Sequence, residues 1–353
     1  MIQTKQKQLF YLSLLILFIG LIWLFYPSKP KGNSIPAAYF WESDQYNLTD
    51  DENAFVHEHQ LKKLYVKFFE VDFNPHTGAF PISKTALTLQ DPLYDSLEII
   101  PTVFIRNVVF KYATPESQEE LVENVMYLIR KRFEEQFGIQ QLKEIQIDCD
   151  WTISTKENYH AFLKLLKQKM GKLSLSATLR LYPYKFPDKM GVLPVDKAML
   201  MCYNLISPFD APNRNSILDL PELEKYLVGA EKYPVPLDIA LPTFSAVHVY
   251  KNKHFYRMIN TNAKDIQSCS KALKGSWFVM TKDTTIASVF LRKGDQLKIE
   301  TISSKRLKKA MLLIQQQVEF DQAPVVALFY LDENQLKTYS YETIHSAYTF
   351  YKP

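Results

Sequence analysis

The chain has 353 residues, of which 47% are hydrophobic and 14% aromatic, so it can bury a large core. Its 42 basic and 38 acidic residues leave a formal net charge of +4 without long runs of one sign, which argues against nucleic acid as a partner. The three cysteines form neither a CxxC pair nor a metal-binding spacing, and their odd number argues against a disulfide framework.

The chain begins with a candidate membrane anchor. The 18 residues from Leu9 to Tyr26 carry no charge, and lysines lie on both sides of them. A helix of this length rises by about 27 Å, close to the hydrocarbon thickness of a bilayer. A cleaved signal peptide is the rival interpretation, but no small-residue cleavage site follows. We therefore predict a single-pass protein of the cell membrane with its globular part facing outward, divided into a cytoplasmic head at 1–8, a transmembrane helix at 9–26, a linker at 27–36 and a barrel at 37–353.

After the linker, strand-like and helical segments alternate. Apolar or alternating segments predict eight strands, at residues 37–41, 64–72, 99–107, 144–151, 173–182, 198–204, 237–244 and 325–331. N-cap residues such as Thr49 and terminal glycines such as Gly138 mark helices between them. This order predicts a closed (β/α)8 TIM barrel of the α/β class. An open doubly wound sheet is the second choice, because no glycine-rich phosphate loop follows any strand. Residues 246–302 break the alternation and predict a small insertion between strands seven and eight.

The fourth strand is the most informative one. Its residues alternate, so Asp148 and Asp150 project from one face and Cys149 from the other. Two carboxylates on one face each need a partner or water. Because the functional residues of such barrels lie at the carboxyl ends of strands, these ends supply the candidate site. The catalytic candidates are Asp150, Glu70 and Asp148, and the candidates for substrate binding are Glu42, Asp72, Arg106, Arg180, Tyr182, Tyr203 and Asn204.

Three segments carry a resemblance to a known family of barrels. Residues 147–151 are similar to the fourth-strand signature Asp-x-x-Asp-x-Asp-x-Glu, with Asp148 and Asp150 at its second and third acids. Residues 201–204 are similar to the sixth-strand pattern Met-x-Tyr-Asp, and residues 239–244 to a seventh strand that precedes a small α+β insertion. The chain thus resembles the chitinase-like, glycoside hydrolase family 18-type TIM barrels. It also resembles a group of bacterial membrane-anchored barrels, which imply no activity.

The chain departs from this family where the resemblance places the reacting groups. The proton donor of the family falls at Thr152, whose hydroxyl cannot protonate a glycosidic oxygen near neutral pH. The first acid of the signature falls at Glu144 or Ile145, and Asn204 stands where the family has an aspartate after Tyr203. The family uses the acetamido group of the sugar as its nucleophile, so its mechanism does not transfer whole.

Two functions stay open on the sequence alone. The first is a membrane-anchored glycoside hydrolase for cell-wall or extracellular glycans, with Asp150 as nucleophile or base and Glu70, or else Glu42, as acid. The second is a catalytically inactive barrel that binds a glycan or a protein at the membrane surface. We expect no cofactor, and a divalent cation held by Asp148, Asp150 and Asp72 lacks any loop signature. A scaffold without a ligand is disfavoured by the polar strand ends.

Overall fold

The computed structural model describes residues 33–41, 47–82, 84–85, 87, 96–138, 141–208, 213–259, 261 and 263–349. Sixteen strands lie within them. They are β1 (Ile35–Phe40), β2 (Lys63–Asn74), β3 (Gly78–Ile82), β4 (Glu98–Ile105), β5 (Glu144–Asp148), β6 (Ser174–Arg180), β7 (Lys197–Met201), β8 (Leu237–Pro242), β9 (Ala246–Lys251), β10 (His254–Ile259), β11 (Ser270–Ala272), β12 (Trp277–Met280), β13 (Thr284–Ile286), β14 (Val289–Leu291), β15 (Gln296–Glu300) and β16 (Val325–Phe329).

Eight parallel strands close into a barrel. Their order is β1-β16-β8-β7-β6-β5-β4-β2, and β2 returns to pair with β1. Ala38 marks the closure, because it is the partner of Leu328 on β16 and of Leu64 on β2. The predicted TIM barrel is therefore confirmed, and the open-sheet alternative is wrong.

Helices separate the barrel strands. They are α1 (Asp50–Glu58), α2 (Asn107–Lys111), α3 (Pro115–Phe137), α4 (Lys156–Met170), α5 (Leu181–Lys185), α6 (Pro187–Met190), α7 (Leu220–Leu227), α8 (Ala263–Gln267), α9 (Ser304–Gln317), α10 (Glu333–Leu336) and α11 (Tyr341–Tyr348). Thr49 caps α1 in a capping box with Glu52, and Thr114 caps α3 just before Pro115. The apolar face of α3 lies against the barrel and is buried.

The insertion between β8 and α9 has its own small core. Its five-stranded antiparallel sheet has the order β10-β9-β15-β12-β11, and β13 and β14 form a separate hairpin. Val249, Leu297 and Leu291 are buried in this second core. A non-barrel unit was expected here from the broken alternation of residues 246–302.

One further strand lies between the second and third of the predicted strands. Residues 78–82 form β3, an antiparallel partner of the long strand β2 beyond the closed barrel. Gly78 begins β3 in a left-handed conformation with φ 77°, which glycine adopts without a Cβ penalty. Gly78 and Pro81 therefore belong to a hairpin of β2 and β3.

The amino ends of the strands enclose a network of ion pairs. Lys63 Nζ lies 3.3 Å from Glu98 and 2.9 Å from Glu144, and Lys197 Nζ lies 3.1 Å from Glu144 and 3.9 Å from Asp238. We call these five residues the amino-end cluster. Burial would raise the pKa of Glu144, but Lys197 and Lys63 together hold it below its usual value. Two lysines thus hold Glu144 at the amino end of the barrel, whereas Asp148 lies at the carboxyl end.

No helix in the described part of the chain is long and apolar enough to cross a bilayer. The predicted head at 1–8, the predicted anchor at 9–26 and most of the predicted linker lie outside the described residues.

Candidate functional site

The carboxyl ends of β2, β4, β5 and β6 form the charged half of the barrel mouth. The strand register places Glu70 beside Phe104, and Phe104 beside Asp148. Since neighbouring strands lie about 4.8 Å apart, the Cα atoms of Glu70 and Asp148 are roughly 10 Å apart at one level. The two carboxylates therefore lie at the same end of the barrel.

Asp148 is the buried carboxyl group of this half. Thr178 Oγ1 donates a hydrogen bond to Asp148 Oδ1 at 2.6 Å. Burial raises the pKa of Asp148 to about 7, although the hydrogen bond from Thr178 acts in the opposite direction; the neighbouring charge of Asp150 raises it further. Asp148 therefore gains and loses its proton near neutral pH.

Asp150 is the exposed carboxyl group of this half. It has 61% of its side chain in solvent, and its Oδ1 lies 3.5 Å from Arg180 Nε. Cys149 between the two acids is also buried, and it lies just beyond β5, which ends at Asp148. Arg180 Nη2 also donates to the carbonyl oxygen of Asn204 at 3.2 Å, which connects the end of β6 to the end of β7.

Glu70 and Asp72 share the cation of Arg106. Lys67 Nζ lies 3.3 Å from Glu70 Oε1, and Arg106 Nη2 lies 3.4 Å from Glu70 Oε2. The other terminal nitrogen of Arg106 lies 2.7 Å from Asp72 Oδ2. Both carboxylate oxygens of Glu70 are thus engaged by cations, whereas Arg106 keeps 44% of its side chain exposed.

Thr152 is held by polar neighbours at the position where the resemblance places a proton donor. Its Oγ1 accepts from Asn107 Nδ2 at 3.4 Å and lies 3.0 Å from Ser154 Oγ and 3.2 Å from Thr155 Oγ1. Thr155 Oγ1 in turn donates to Asn107 Oδ1 at 2.6 Å. This hydroxyl network contains no acid that could donate a proton to a substrate.

The opposite half of the mouth, at the ends of β1, β7, β8 and β16, is aromatic. Tyr203 is buried and stacks on Phe329 with ring centroids 5.0 Å apart. Trp41 and Phe244 contact the same Phe329 ring at 5.5 Å and 5.9 Å, and Tyr330 lies beside it at 5.5 Å. The Tyr203 hydroxyl is buried and has no hydrogen-bond partner among the described residues. We call Trp41, Tyr203, Phe244, Phe329 and Tyr330 the aromatic floor.

The remaining sequence candidates have separate places. Tyr182 is exposed on α5 with its ring 5.0 Å from that of Phe186. Asn204 follows the floor residue Tyr203 in a left-handed conformation with φ 52°, which asparagine tolerates better than most residues. Glu42 lies outside the described residues.

Sequence reasoning missed three members of the mouth, Lys67, Phe329 and Tyr330. The signal for the last two was an aromatic pair at the carboxyl end of an apolar strand, where a barrel exposes its strand ends. Lys67 gave no such signal, because it lies within a predicted strand.

No cluster of three or more histidine, cysteine or acidic side chains suited to a metal is found in the part of the chain that the structure describes. Of the three aspartates considered for a cation, Asp72 faces Arg106 and Asp150 faces Arg180. Two of the three are thus already matched with side-chain cations.

No protein-family profile and no curated protein matches the sequence. Among solved structures, the chain is similar to the spore cortex-lytic enzyme SleL of Bacillus cereus, at 13% identity and a TM-score of 0.49 over 92% of this chain and 76% of that one. It is similar to a fungal endo-beta-N-acetylglucosaminidase of glycosyl hydrolase family 18, at 10% identity and a TM-score of 0.45 over 89% and 98%. It is also similar to a tamarind chitinase-like lectin, at 12% identity and a TM-score of 0.42 over 90% and 99%.

All three TM-scores are below 0.5 and the identities are 10–13%, so none of these likenesses bears on activity. The closed barrel is established by the strand pairings of the chain itself.

Proposed function

We propose that this barrel binds a glycan across its mouth and does not cleave it by the acetamido-assisted route. The observation that carries the proposal is the state of the four acids of the charged half. Glu70 and Asp72 are paired with cations, Asp150 faces Arg180, and Asp148 is buried against Thr178. None of these four stands as a free acid at the place where a chitinase-like enzyme donates its proton.

The aromatic floor supports a sugar as the ligand. Sugar rings have apolar faces that pack on aromatic rings, while their hydroxyl groups need hydrogen-bond partners. Phe329 and Trp41 are only half buried and supply the apolar surface. The exposed part of Arg106 and the exposed carboxylate of Asp150 lie across the mouth and supply charged partners. A flat ligand between the halves would contact both.

A binding experiment with two aromatic variants tests this proposal. Calorimetry of the full-length chain with a β-linked N-acetylglucosamine tetramer should give saturable binding. Phe329→Leu keeps apolar bulk but removes the ring face, so affinity should fall by roughly three- to tenfold, the range for one aromatic contact. Tyr127→Leu is the matched control, because Tyr127 is 67% exposed on α3 and lies outside the floor. Equal losses in both variants, or no binding to any β-linked oligosaccharide, would refute the proposal.

Hydrolysis by a rearranged acid pair is the second candidate, and one observation favours it. Asp148, with its pKa near 7, is the kind of acid that can donate a proton at neutral pH. Asp150 would then act as nucleophile or base. Under this alternative Asp150→Asn abolishes turnover of β-linked oligosaccharides, while Cys149→Ala leaves it nearly intact because Cys149 faces away from the mouth. A wild-type chain without turnover removes this candidate.

Membrane attachment is a further part of the proposal. The uncharged stretch at 9–26 supports an uncleaved anchor that holds the barrel on the outer face of a cell membrane. Intact-mass measurement of the expressed protein should give a chain that retains this stretch, and external protease should reach the barrel in whole cells. A mature chain that starts between residues 27 and 39 would contradict the anchor.

A further inference from the structure

A buried ion pair lies where the insertion meets the barrel. Lys298 and Glu300 are two residues apart on β15, so their side chains share one face. They are 0% and 1% exposed, and Lys298 Nζ lies 2.5 Å from Glu300 Oε1. A buried pair of this kind adds little to stability relative to apolar side chains, because both charges lose their hydration. The presence of this pair therefore indicates a role other than stability.

Both charges bind a segment that is not part of the insertion. Glu300 Oε2 accepts hydrogen bonds from the Ser216 amide at 2.9 Å and from Ser216 Oγ at 2.5 Å. Lys298 Nζ donates to the carbonyl oxygen of Arg214 at 2.8 Å. Residues 213–218, which we call the β7 return segment, lie between β7 and α7 of the barrel. The ion pair thus fastens this segment to the insertion.

The β7 return segment leads directly to the mouth. The Ser216 carbonyl accepts from the Leu205 amide at 3.0 Å, and the Ile217 carbonyl accepts from the Asn204 amide at 2.8 Å. The Asn204 carbonyl then accepts from Arg180, which faces Asp150. An unbroken series of polar contacts therefore runs from Glu300 in the insertion to Asp150 in the charged half.

We propose that Glu300 is a positioning residue for the mouth, with Lys298 as its buried counter-ion. By fixing the β7 return segment at Ser216, Glu300 holds the left-handed turn at Asn204, and through it the Arg180–Asp150 pair, in the geometry that receives a ligand. The ligand part of this inference rests on the proposed glycan binding, whereas the ordering of Asn204 does not. The pair contacts no ligand itself; it acts through Ser216.

Two double variants separate the charge of the pair from its contact with Ser216. The double variant Lys298→Met/Glu300→Leu removes both the charges and the contact with Ser216. This variant should fold, because apolar replacement of a whole buried pair is often neutral or stabilising. Lys298→Met with Glu300→Gln also removes both charges, but the amide oxygen can still accept from Ser216. The two proteins differ only at position 300, so each is the control for the other.

Amide hydrogen exchange on the full-length chain measures whether the contact with Ser216 orders the turn at Asn204. In the Met/Leu double variant the Asn204 and Leu205 amides should exchange about tenfold faster or more, because their acceptors are no longer fixed. In the Met/Gln double variant they should stay within about threefold of wild type. The Cys202 amide, which donates to Ala240 on β8 rather than to the return segment, should be unchanged in both.

Affinity for the N-acetylglucosamine tetramer should fall about tenfold in the Met/Leu double variant and recover in the Met/Gln one, as expected for coupling between two sites. If the wild type binds no oligosaccharide, the glycan proposal fails, and the exchange rates still test the positioning role. Unchanged exchange of Asn204 and Leu205 in the Met/Leu double variant overturns the inference. Equal acceleration in both double variants also overturns it, because the contact with Ser216 would then have no part.

Discussion

The two ends of the barrel both carry clusters of charge, but they differ in how those charges are matched and exposed. In the amino-end cluster, Glu144 is 2% exposed and lies between two lysines. At the mouth, Asp150 is 61% exposed and faces Arg180 at 3.5 Å. Tight burial of matched charges serves to fix strand register, whereas half-exposed charges stay available to a ligand. The contrast assigns the alignment of the strands to one end and recognition to the other.

The largest effect is expected at the amino end. Glu144→Leu would leave Lys63 and Lys197 without their shared partner, so the free energy of unfolding should fall by roughly 3–5 kcal/mol, the usual cost of removing one member of a buried pair. Glu98→Gln is the control, because Glu98 is 25% exposed and its pair should contribute below about 1 kcal/mol. Urea unfolding measures both. Similar losses in the two variants would remove the distinction between buried and peripheral pairs.

A smaller effect should appear in the pH dependence of stability. Folding raises the pKa of Asp148 from 3.8 to about 7, so folding favours its protonated form. The stability that this group contributes is fully present below about pH 4 and is lost as the pH rises through 7. Relative to Asp148→Asn, the wild type should therefore lose about 2–3 kcal/mol between pH 5 and pH 8. Thermal or urea unfolding across this range measures the difference.

Asp238 in the amino-end cluster provides the counterpart to that measurement. Burial raises its pKa from 3.8 to about 6, although Lys197 acts in the opposite direction. The wild type should thus lose about 1 kcal/mol relative to Asp238→Asn over the same range, with most of the change complete by about pH 7. A wild type that gains stability relative to either variant as the pH rises would contradict the assigned burial.

The smallest effect on stability is expected at the rim of the mouth. Arg180→Gln removes the ion pair with Asp150, but both side chains are substantially exposed, so the free energy of unfolding should change by less than about 1 kcal/mol. Affinity for the N-acetylglucosamine tetramer should nevertheless fall several-fold, because Arg180 also holds the Asn204 turn. A stability loss as large as that of Glu144→Leu would mean that the two ends of the barrel are not distinct.

Local sequence patterns sufficed for the barrel and for one part of the site. The alternation predicted that Asp148 and Asp150 point the same way, and both contact residues of β6, Asp148 through Thr178 and Asp150 through Arg180. The cap Thr49 likewise predicted the start of α1. Each of these signals lies within a few residues of the feature that it predicts.

Features that depend on distant segments could not be predicted in this way. Residues three apart on a regular strand face opposite sides, yet Lys67 and Glu70 pair because the register of β2 shifts between Lys67 and Phe69. The pairing of β2 with β3 begins at Glu70, just after that shift. Trp41 and Phe329 meet in the aromatic floor only because the barrel closes. Glu300 and Ser216 are in contact although they lie 84 positions apart in the sequence. No local pattern carries such information.

The central claim is that the mouth binds a glycan that it does not cleave by the chitinase-like route. It is tested most directly by following binding and product formation together, with calorimetry and mass spectrometry on one sample of full-length protein and N-acetylglucosamine tetramer. The account predicts saturable binding and turnover at least roughly 10²–10⁴-fold below that of a working chitinase, the usual cost of a missing general acid. Thr152→Glu should raise turnover from that baseline if the rest of the geometry is chitinase-like. Wild-type turnover close to that of a working chitinase, or the absence of binding, would contradict the account.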